Sequence, residues 1–209
     1  MDKFIYAGSS EEYGNQENLP IGEKSPLLGN QPYSISKIAS DLYLQYLNES
    51  LDFPTITVRP FNTYGRINNF GFVTEKIIVE MLTKEKVILG NPKPIRDFLY
   101  VDDHVNGYMK VLESKVFPSC VNICTGLGTS IRELAKMIQE LLDYKGEIVW
   151  NTTYQRPTEI WSLVGDNSLA KETLGWEPEY SLEEGLILTI EKVKYKLGLS
   201  PKVNTVKLE

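Results

Sequence analysis

The chain has 209 residues, of which 22 are basic and 28 acidic, so its formal net charge is −6. This length suits one or two domains with a buried core, and the acidic balance argues against a nucleic-acid surface. No apolar run approaches the roughly 20 residues of a membrane helix, and the first six residues are too mixed for a signal peptide. The cysteines, Cys120 and Cys124, lie in an apolar run and predict core thiols in a reducing cytoplasm.

Short apolar strands alternate along the chain with amphipathic helices. Strands are predicted at 4–7, 55–58, 87–89, 120–124 and 147–150, and helices at 33–50, 74–83, 103–113, 130–142 and 182–197. The order strand, loop, helix, strand at the start follows the βαβ arrangement of a parallel sheet. The pattern therefore predicts a soluble α/β protein.

The first pair of residues that suggests chemistry is Tyr33 and Lys37. Residues four apart on a helix share a face. An ammonium beside a phenol favours the phenolate, so this tyrosine can exchange a proton near neutral pH. This spacing also arises by chance, so its meaning depends on the surrounding sequence. A strand ends just before Ser9, and the helix with Tyr33 and Lys37 follows the next loop.

In that context the sequence resembles the extended short-chain dehydrogenase/reductase family of sugar-nucleotide enzymes. The family pattern is a strand, Ser/Thr-x-x-x-Tyr-Gly and Tyr-x-x-x-Lys, and segments 59–65, 89–103 and 156–178 also match in order. The resemblance implies the C-terminal part of a Rossmann-like parallel-sheet domain plus a small α/β substrate-binding domain. Residues 1–65 would form the partial Rossmann domain and 66–209 the mixed substrate-binding region, with strand 120–124 and helix 130–142 returning to the Rossmann sheet.

The resemblance also implies roles for individual residues. Ser9 takes the catalytic Ser/Thr position, Tyr33 is the acid/base, and Lys37 holds the nicotinamide ribose. Contacts with NAD are expected from Ala7, Gly8, Tyr33, Lys37, Pro60, Phe61 and Asn62. Contacts with a nucleotide-diphosphate sugar are expected from Ser9, Ser10, Asn62, Val87, Leu89, Arg96, Arg156 and Glu159. The two arginines would grip the diphosphate, because a guanidinium offers a fixed fork of donors.

Glu11 indicates which reaction the resemblance implies. The Ser/Thr-x-Glu form resembles 4,6-dehydratases and some decarboxylases, whereas simple 4-epimerases usually have a non-acidic residue there. Oxidation at C4 acidifies the C5 proton, and a carboxylate can remove it and protonate the departing C6 hydroxyl. Glu11 is thus the fourth catalytic residue, and Glu12 is expected to face solvent. The predicted function is NAD-dependent sugar-nucleotide 4,6-dehydration; a 4-epimerase, a decarboxylase and a non-catalytic sugar-nucleotide-binding fragment stay as alternatives.

The sequence does not decide which nucleotide base and which sugar the substrate carries. Segment 156–160 resembles GDP-mannose 4,6-dehydratases, whereas 59–65 and 89–98 resemble UDP-N-acetylglucosamine 4,6-dehydratases. Arg66 stands where the family usually has proline, which predicts a differently shaped loop. His104, the single histidine, begins a helix and is expected to be structural or on the surface. With no paired cysteine motif either, no metal site is predicted.

The glycine motif that binds the dinucleotide pyrophosphate in this family, Gly-x-x-Gly-x-x-Gly, is missing from the sequence. Gly126-Leu127-Gly128 imitates it without the third glycine and is expected to be a structural turn. The chain alone should therefore bind NAD weakly or not at all, and activity should need an N-terminal partner chain. An open edge of strand 4–7 and the apolar surface of helix 33–50 (Leu42, Tyr43, Tyr46 and Leu47) predict a homo-oligomer.

Overall fold

The computed structural model describes residues 3–115, 118–151 and 158–199. The strands are β1 (Phe4–Ala7), β2 (Thr55–Pro60), β3 (Asn62–Tyr64), β4 (Lys86–Leu89), β5 (Ile95–Tyr100), β6 (Cys120–Ile123), β7 (Gly128–Ser130), β8 (Glu147–Trp150) and β9 (Ser162–Leu163). The helices are α1 (Pro32–Leu51), α2 (Val73–Thr83), α3 (Val101–Glu113), α4 (Ile131–Leu141), α5 (Ser168–Leu174) and α6 (Leu182–Lys196). A 3-10 turn, Ser10–Tyr13, follows β1. None of the helices described is long and apolar enough to cross a membrane.

A three-stranded parallel sheet in the order β1-β2-β6 confirms the predicted Rossmann-like parallel arrangement. Side chains alternate along β2. Ile56 and Val58 belong to a buried cluster that includes Val111 of α3 and Ala170 of α5. Thr57, on the opposite face, bonds to Asp41 of α1. The sheet therefore lies between α1 on one face and α3 and α5 on the other, and strand 120–123 returns to it as predicted.

The remaining strands form smaller sheets. β5 pairs in parallel with β3 and β9 and antiparallel with β7, and β4 pairs in parallel with β8. The helix at 131–141 was expected to return to the Rossmann sheet, but it packs against α2 and α6. The reason is its apolar face, since Leu134, Ala135 and Ile138 join the buried cluster built by those helices.

The sequence-derived elements agree closely with the structure. Every predicted strand and helix is present, and Ser130 and Glu133 form a capping box at the start of α4. Cys120 and Cys124 are both buried and free, as predicted. Strands β3, β5, β7 and β9, helix α5 and the 3-10 turn were not predicted.

The loop between the 3-10 turn and α1 contacts β6, the strand at the opposite edge of the sheet from β1. Ile21 forms a parallel bridge with Gly165. Glu23 Oε1 accepts the N–H of Asn122 in β6 at 2.8 Å, and Tyr13 donates its hydroxyl to the Asn122 side chain at 2.7 Å. The loop is thereby tied to β6 and to the segment around Gly165.

Candidate active site

The turn after β1 is held by its own side chains. Ser9 caps it: Ser9 Oγ accepts the N–H of Glu11 at 3.2 Å, and the N–H of Ser9 donates to Glu12 Oε1 at 2.7 Å. Such reciprocal bonds satisfy N–H groups that the turn leaves free. Glu11 is half-buried. Glu12 is fully buried, so the expectation that it faces solvent was wrong. Its carboxylate lies beneath the turn because it binds the N–H of Ser9 and pairs with Arg59.

Tyr33 and Lys37 lie on one face of α1, as the spacing predicted. The Lys37 ammonium lies 5.8 Å from the centre of the Tyr33 ring and donates to the carbonyl of Ala7 at 2.7 Å. The Tyr33 side chain is 52% exposed, so its hydroxyl is available to a ligand. The structure thus brings this pair to the carboxyl end of β1.

The 3-10 turn at Ser10–Tyr13 and the start of α1 lie directly against each other. A Cβ added to Gly29 would lie 2.6 Å from the carbonyl oxygen of Glu11 and 2.6 Å from Cβ of Ser34. Only a residue without a side chain fits between two surfaces at that distance. The backbone of Glu11 and the start of the helix that carries Tyr33 therefore lie close together.

The segment after β2 contributes to the same edge, because the parallel strands β1 and β2 end together. Phe61 is buried beside Tyr13 and Leu163. Asn62 has a buried side-chain oxygen without a hydrogen-bond partner among the described residues. Such an oxygen needs a donor. An accessible phenol, an anchored ammonium and this oxygen are the groups that would fit a nicotinamide riboside.

Two residues that were predicted to bind substrate, Arg96 and Glu159, form an ion pair with each other. Arg96 Nη2 lies 3.2 Å from Oε1 of Glu159, and both side chains are 15% exposed. Asn15 fixes this segment by donating to the carbonyl of Glu159 and accepting the N–H of Trp161, both at 2.8 Å. Arg156 lies outside the described residues.

Three other predicted substrate contacts are buried. Val87 and Leu89 belong to the core cluster formed with α2, α4 and α6, so their side chains contact protein. Ser10 is 4% exposed. For these positions the structure leaves the backbone as the group that could reach a ligand.

Asp97, the residue after Arg96 in β5, is a structural anchor. Asp97 is fully buried and accepts the N–H and hydroxyl of Thr125 and the N–H of Gly126, at 2.7–2.9 Å. Burial raises the pKa of this carboxyl, and the hydrogen bonds oppose the rise. These bonds occupy the Gly126–Gly128 turn, which agrees with its expected structural role.

His104 contacts the segment that follows Asn62. Its Nδ1 lies 2.5 Å from Oγ1 of Thr63, and its ring stacks on Tyr108 with centroids 5.1 Å apart. Burial, together with the nearby Arg66 guanidinium, lowers the pKa of His104 to about 4. It is therefore neutral at pH 7 and holds Thr63. Within the described ranges no cluster of potential ligands could hold a metal ion.

Sequence analysis missed the buried ion cluster behind the site. Arg59 lies 3.1 Å from Glu12 and also pairs with Asp41, and all three are at most 1% exposed. A charged residue inside a β-branched strand was the available signal, because such a charge requires a buried partner.

The outer face of α1 is apolar and exposed. Leu42, Tyr43 and Tyr46 are each more than half exposed, and the two tyrosine rings stack with centroids 6.4 Å apart. Leu47, also expected on this surface, is half-buried. The predicted association through α1 stays a prediction.

The geometry can be compared with known proteins. The family model described as GDP-mannose 4,6 dehydratase matches residues 1–189. GDP-L-fucose synthase from Escherichia coli is 29% identical over 91% of this chain and 66% of its own length. dTDP-D-glucose 4,6-dehydratase from mouse is 30% identical over 91% of this chain and 55% of its own length. The chain thus spans less than two thirds of these relatives.

Solved structures share the fold. UDP-glucose 4-epimerase from Thermotoga maritima, determined with UDP-glucose, has a TM-score of 0.87 and 30% identity, covering 94% of this chain and 65% of its own. dTDP-glucose 4,6-dehydratase from Bacillus anthracis, determined with NAD, has a TM-score of 0.85 and 25% identity, covering 92% and 62%.

Proposed function

Because this chain belongs to the GDP-mannose 4,6-dehydratase family of extended short-chain dehydrogenases/reductases, we propose that its reaction is the NAD-dependent 4,6-dehydration of a sugar nucleotide. The family as a whole comprises epimerases, dehydratases and related enzymes. The reaction therefore has to be argued from the residues of this site.

The position of Glu11 carries the proposal. Its backbone is fixed by Ser9, its side chain is half-buried, and it lies across Gly29 from the start of the helix that bears Tyr33. A carboxylate at this point is the acid/base that dehydration requires in addition to a Tyr–Lys pair. A 4-epimerase leaves the C5 proton in place and needs no such group.

In this proposal Tyr33 and Lys37 act in the oxidation at C4, and Glu11 acts in the elimination of water. Tyr33, assisted by Lys37, takes the proton of the C4 hydroxyl as a hydride leaves C4. Glu11 takes the C5 proton and returns it to the C6 hydroxyl, so the C6–O bond breaks and water leaves with a double bond between C5 and C6. Glu11, protonated again from solvent, would then give a proton to C5 as C6 regains the hydride, and Tyr33 would release its proton to solvent. The sum is loss of one water with no net oxidation.

NAD, when bound, supplies the reversible hydride acceptor that this internal redox reaction needs. Tyr33, Lys37 and the Asn62 oxygen are the described side chains that would hold its nicotinamide end. The pyrophosphate normally binds at a glycine-rich helix N-terminus, a motif the sequence does not contain. We therefore propose that binding of NAD to this chain alone is weak or absent, and that an N-terminal partner chain restores activity.

The proposed substrate is a nucleotide-diphosphate sugar, held in part by Arg96. The guanidinium lies beside Glu159, and its side chain is mostly buried. Arginine forms bidentate, charge-assisted bonds with phosphate. GDP-mannose and UDP-N-acetylglucosamine are the two substrates that the sequence motifs favour.

Two variants test the division of steps. Both are assayed with the N-terminal partner chain supplied. In Tyr33→Phe, hydride transfer, followed by the absorbance of reduced nicotinamide, should be blocked. In Glu11→Gln, hydride transfer should persist while exchange of the C5 proton and dehydration fall by about 10²–10⁴-fold, the usual contribution of a general acid/base. Glu17→Gln, an exposed acid of the same loop, is the control. Unchanged dehydration in Glu11→Gln would remove the argument for a dehydratase.

The second candidate is a 4-epimerase, favoured by the structural similarity to the Thermotoga maritima enzyme. An epimerase would give a product of unchanged mass with the C6 hydroxyl retained. A decarboxylase would release carbon dioxide, and a fragment that only binds sugar nucleotides would give no product.

A further inference from the structure

A buried carboxylate that the proposed reaction does not use lies beneath the catalytic turn. The two oxygens of Glu12 have different partners: Oε1 accepts the N–H of Ser9 at 2.7 Å, and Oε2 lies 3.1 Å from Nε of Arg59. A Cβ added to Gly8 would lie 2.8 Å from Oε1. The carboxylate therefore fills the space beside the backbone that leads into the turn.

Arg59 connects this carboxylate to α1. Its Nε lies 3.0 Å from Oδ2 of Asp41, and its Nη2 contacts the same oxygen. The second oxygen of Asp41 accepts the hydroxyl of Thr57 at 2.6 Å. Asp41 lies one helical turn beyond Lys37. The guanidinium thus bridges an acid on the catalytic turn and an acid on the catalytic helix.

Burial makes this bridge rigid. Both acids are fully buried and Arg59 is 1% exposed, so neither charge can be hydrated in place of its partner. Moving any member would leave a buried charge unpaired, which is strongly unfavourable. Burial raises the pKa of Glu12 to about 7, with Arg59 opposing the rise and Asp41 adding to it. In either protonation state an oxygen remains to accept the Ser9 N–H.

We propose that Glu12 is a positioning residue. Through the Ser9 amide it fixes the turn that carries Ser9 and Glu11, and through Arg59 and Asp41 it holds that turn at a set distance from Tyr33. The catalytic part of this role rests on the proposed function, because the position of the turn matters to turnover only if those residues act there.

Amide hydrogen exchange tests the positioning without substrate or cofactor. In Glu12→Leu, exchange at the N–H groups of Ser9 and Glu11 should accelerate at least about tenfold, while core amides such as that of Val121 keep their rates. Glu17→Leu changes an exposed acid of the same loop and should leave both amides unaffected. Unchanged rates at Ser9 and Glu11 would overturn the proposal, as would a uniform acceleration across the core, which indicates a general stabilising role.

A second variant covers the case in which Glu12→Leu does not fold. Glu12→Gln keeps the shape, but its single carbonyl oxygen can serve the Ser9 N–H or Arg59 and not both. Exchange at Ser9 and Glu11 should then accelerate at least about threefold over the wild type. Rates equal to those of the wild type would overturn the proposal.

Kinetics separate this idea from the proposed function. With turnover established, Glu12→Leu should lower kcat at least about tenfold and leave KM for the sugar nucleotide within about threefold. Normal kcat in that variant would overturn the positioning role while the dehydratase assignment stands. No turnover in the wild type supplied with a glycine-rich dinucleotide-binding chain would instead count against the proposed function, and the exchange rates would still decide whether Glu12 fixes the turn.

Discussion

Replacing Asp97 by asparagine should destabilise the fold more than any comparable change of an exposed acid. The Oδ1 atom of Asp97 serves Thr125, and Oδ2 accepts the N–H groups of Gly126 at 2.9 Å and Gly165 at 3.3 Å. In Asp97→Asn one oxygen becomes an NH₂ group, so the two glycine N–H groups would face a donor. Hydrogen bonds to a charged acceptor contribute about 1.5–3 kcal/mol each.

The longer bond counts for less, and asparagine avoids the cost of burying a charge. We therefore expect the free energy of unfolding to fall by about 2–3 kcal/mol. Urea unfolding at pH 7, followed by circular dichroism, measures it. Asp102→Asn is the matched control, since Asp102 is exposed in the first turn of α3 and should cost less than about 1 kcal/mol. A loss below about 1 kcal/mol for Asp97→Asn, or equal losses in both variants, would refute the assignment of Asp97 as an anchor.

Three further predictions concern binding, pH and association. Arg96→Ala should weaken sugar-nucleotide binding by more than about tenfold in calorimetry, whereas Lys84→Ala, at an exposed ion pair, should not; equal affinity would reject the role of Arg96. The folded-state pKa of His104 is lowered to about 4 from 6.5, so as the pH falls the unfolded chain takes up the proton before the folded chain does. The free energy of unfolding should therefore fall by about 2–3 kcal/mol as the pH drops from 6.5 to 4. The same loss in His104→Gln would contradict this. Light scattering at micromolar concentration should show association that Tyr43→Glu weakens, and a wild-type monomer would count against it.

Most of the longer elements were predictable and the shortest strands were not, although the six-residue strand β5 was also missed. β2 and α4 carry period-2 or helical apolar patterns over several residues, and both were found where expected. β3 and β9, with three and two residues, are too short to carry a periodic signal. They are strands because β5 lies beside them, which is a tertiary fact.

The candidate site shows the same division. The spacing of Tyr33 and Lys37 determines that they share a helix face, and the structure agrees. Glu11 and Glu12 are adjacent acids, and only the fold decides which one is buried. Arg59, inside a buried strand, required an acidic partner, but nothing local in the sequence chooses among 28 acids.

The identity of the product tests the central claim most directly. The purified chain would be incubated in D₂O with NAD and either GDP-mannose or UDP-N-acetylglucosamine, once alone and once with a separately expressed glycine-rich dinucleotide-binding segment. We predict that the mixture containing this segment yields a 4-keto-6-deoxy sugar nucleotide, detected by mass spectrometry as loss of one water with deuterium at C5. An epimer that retains its C6 hydroxyl, or no reaction in either mixture, would contradict the assignment.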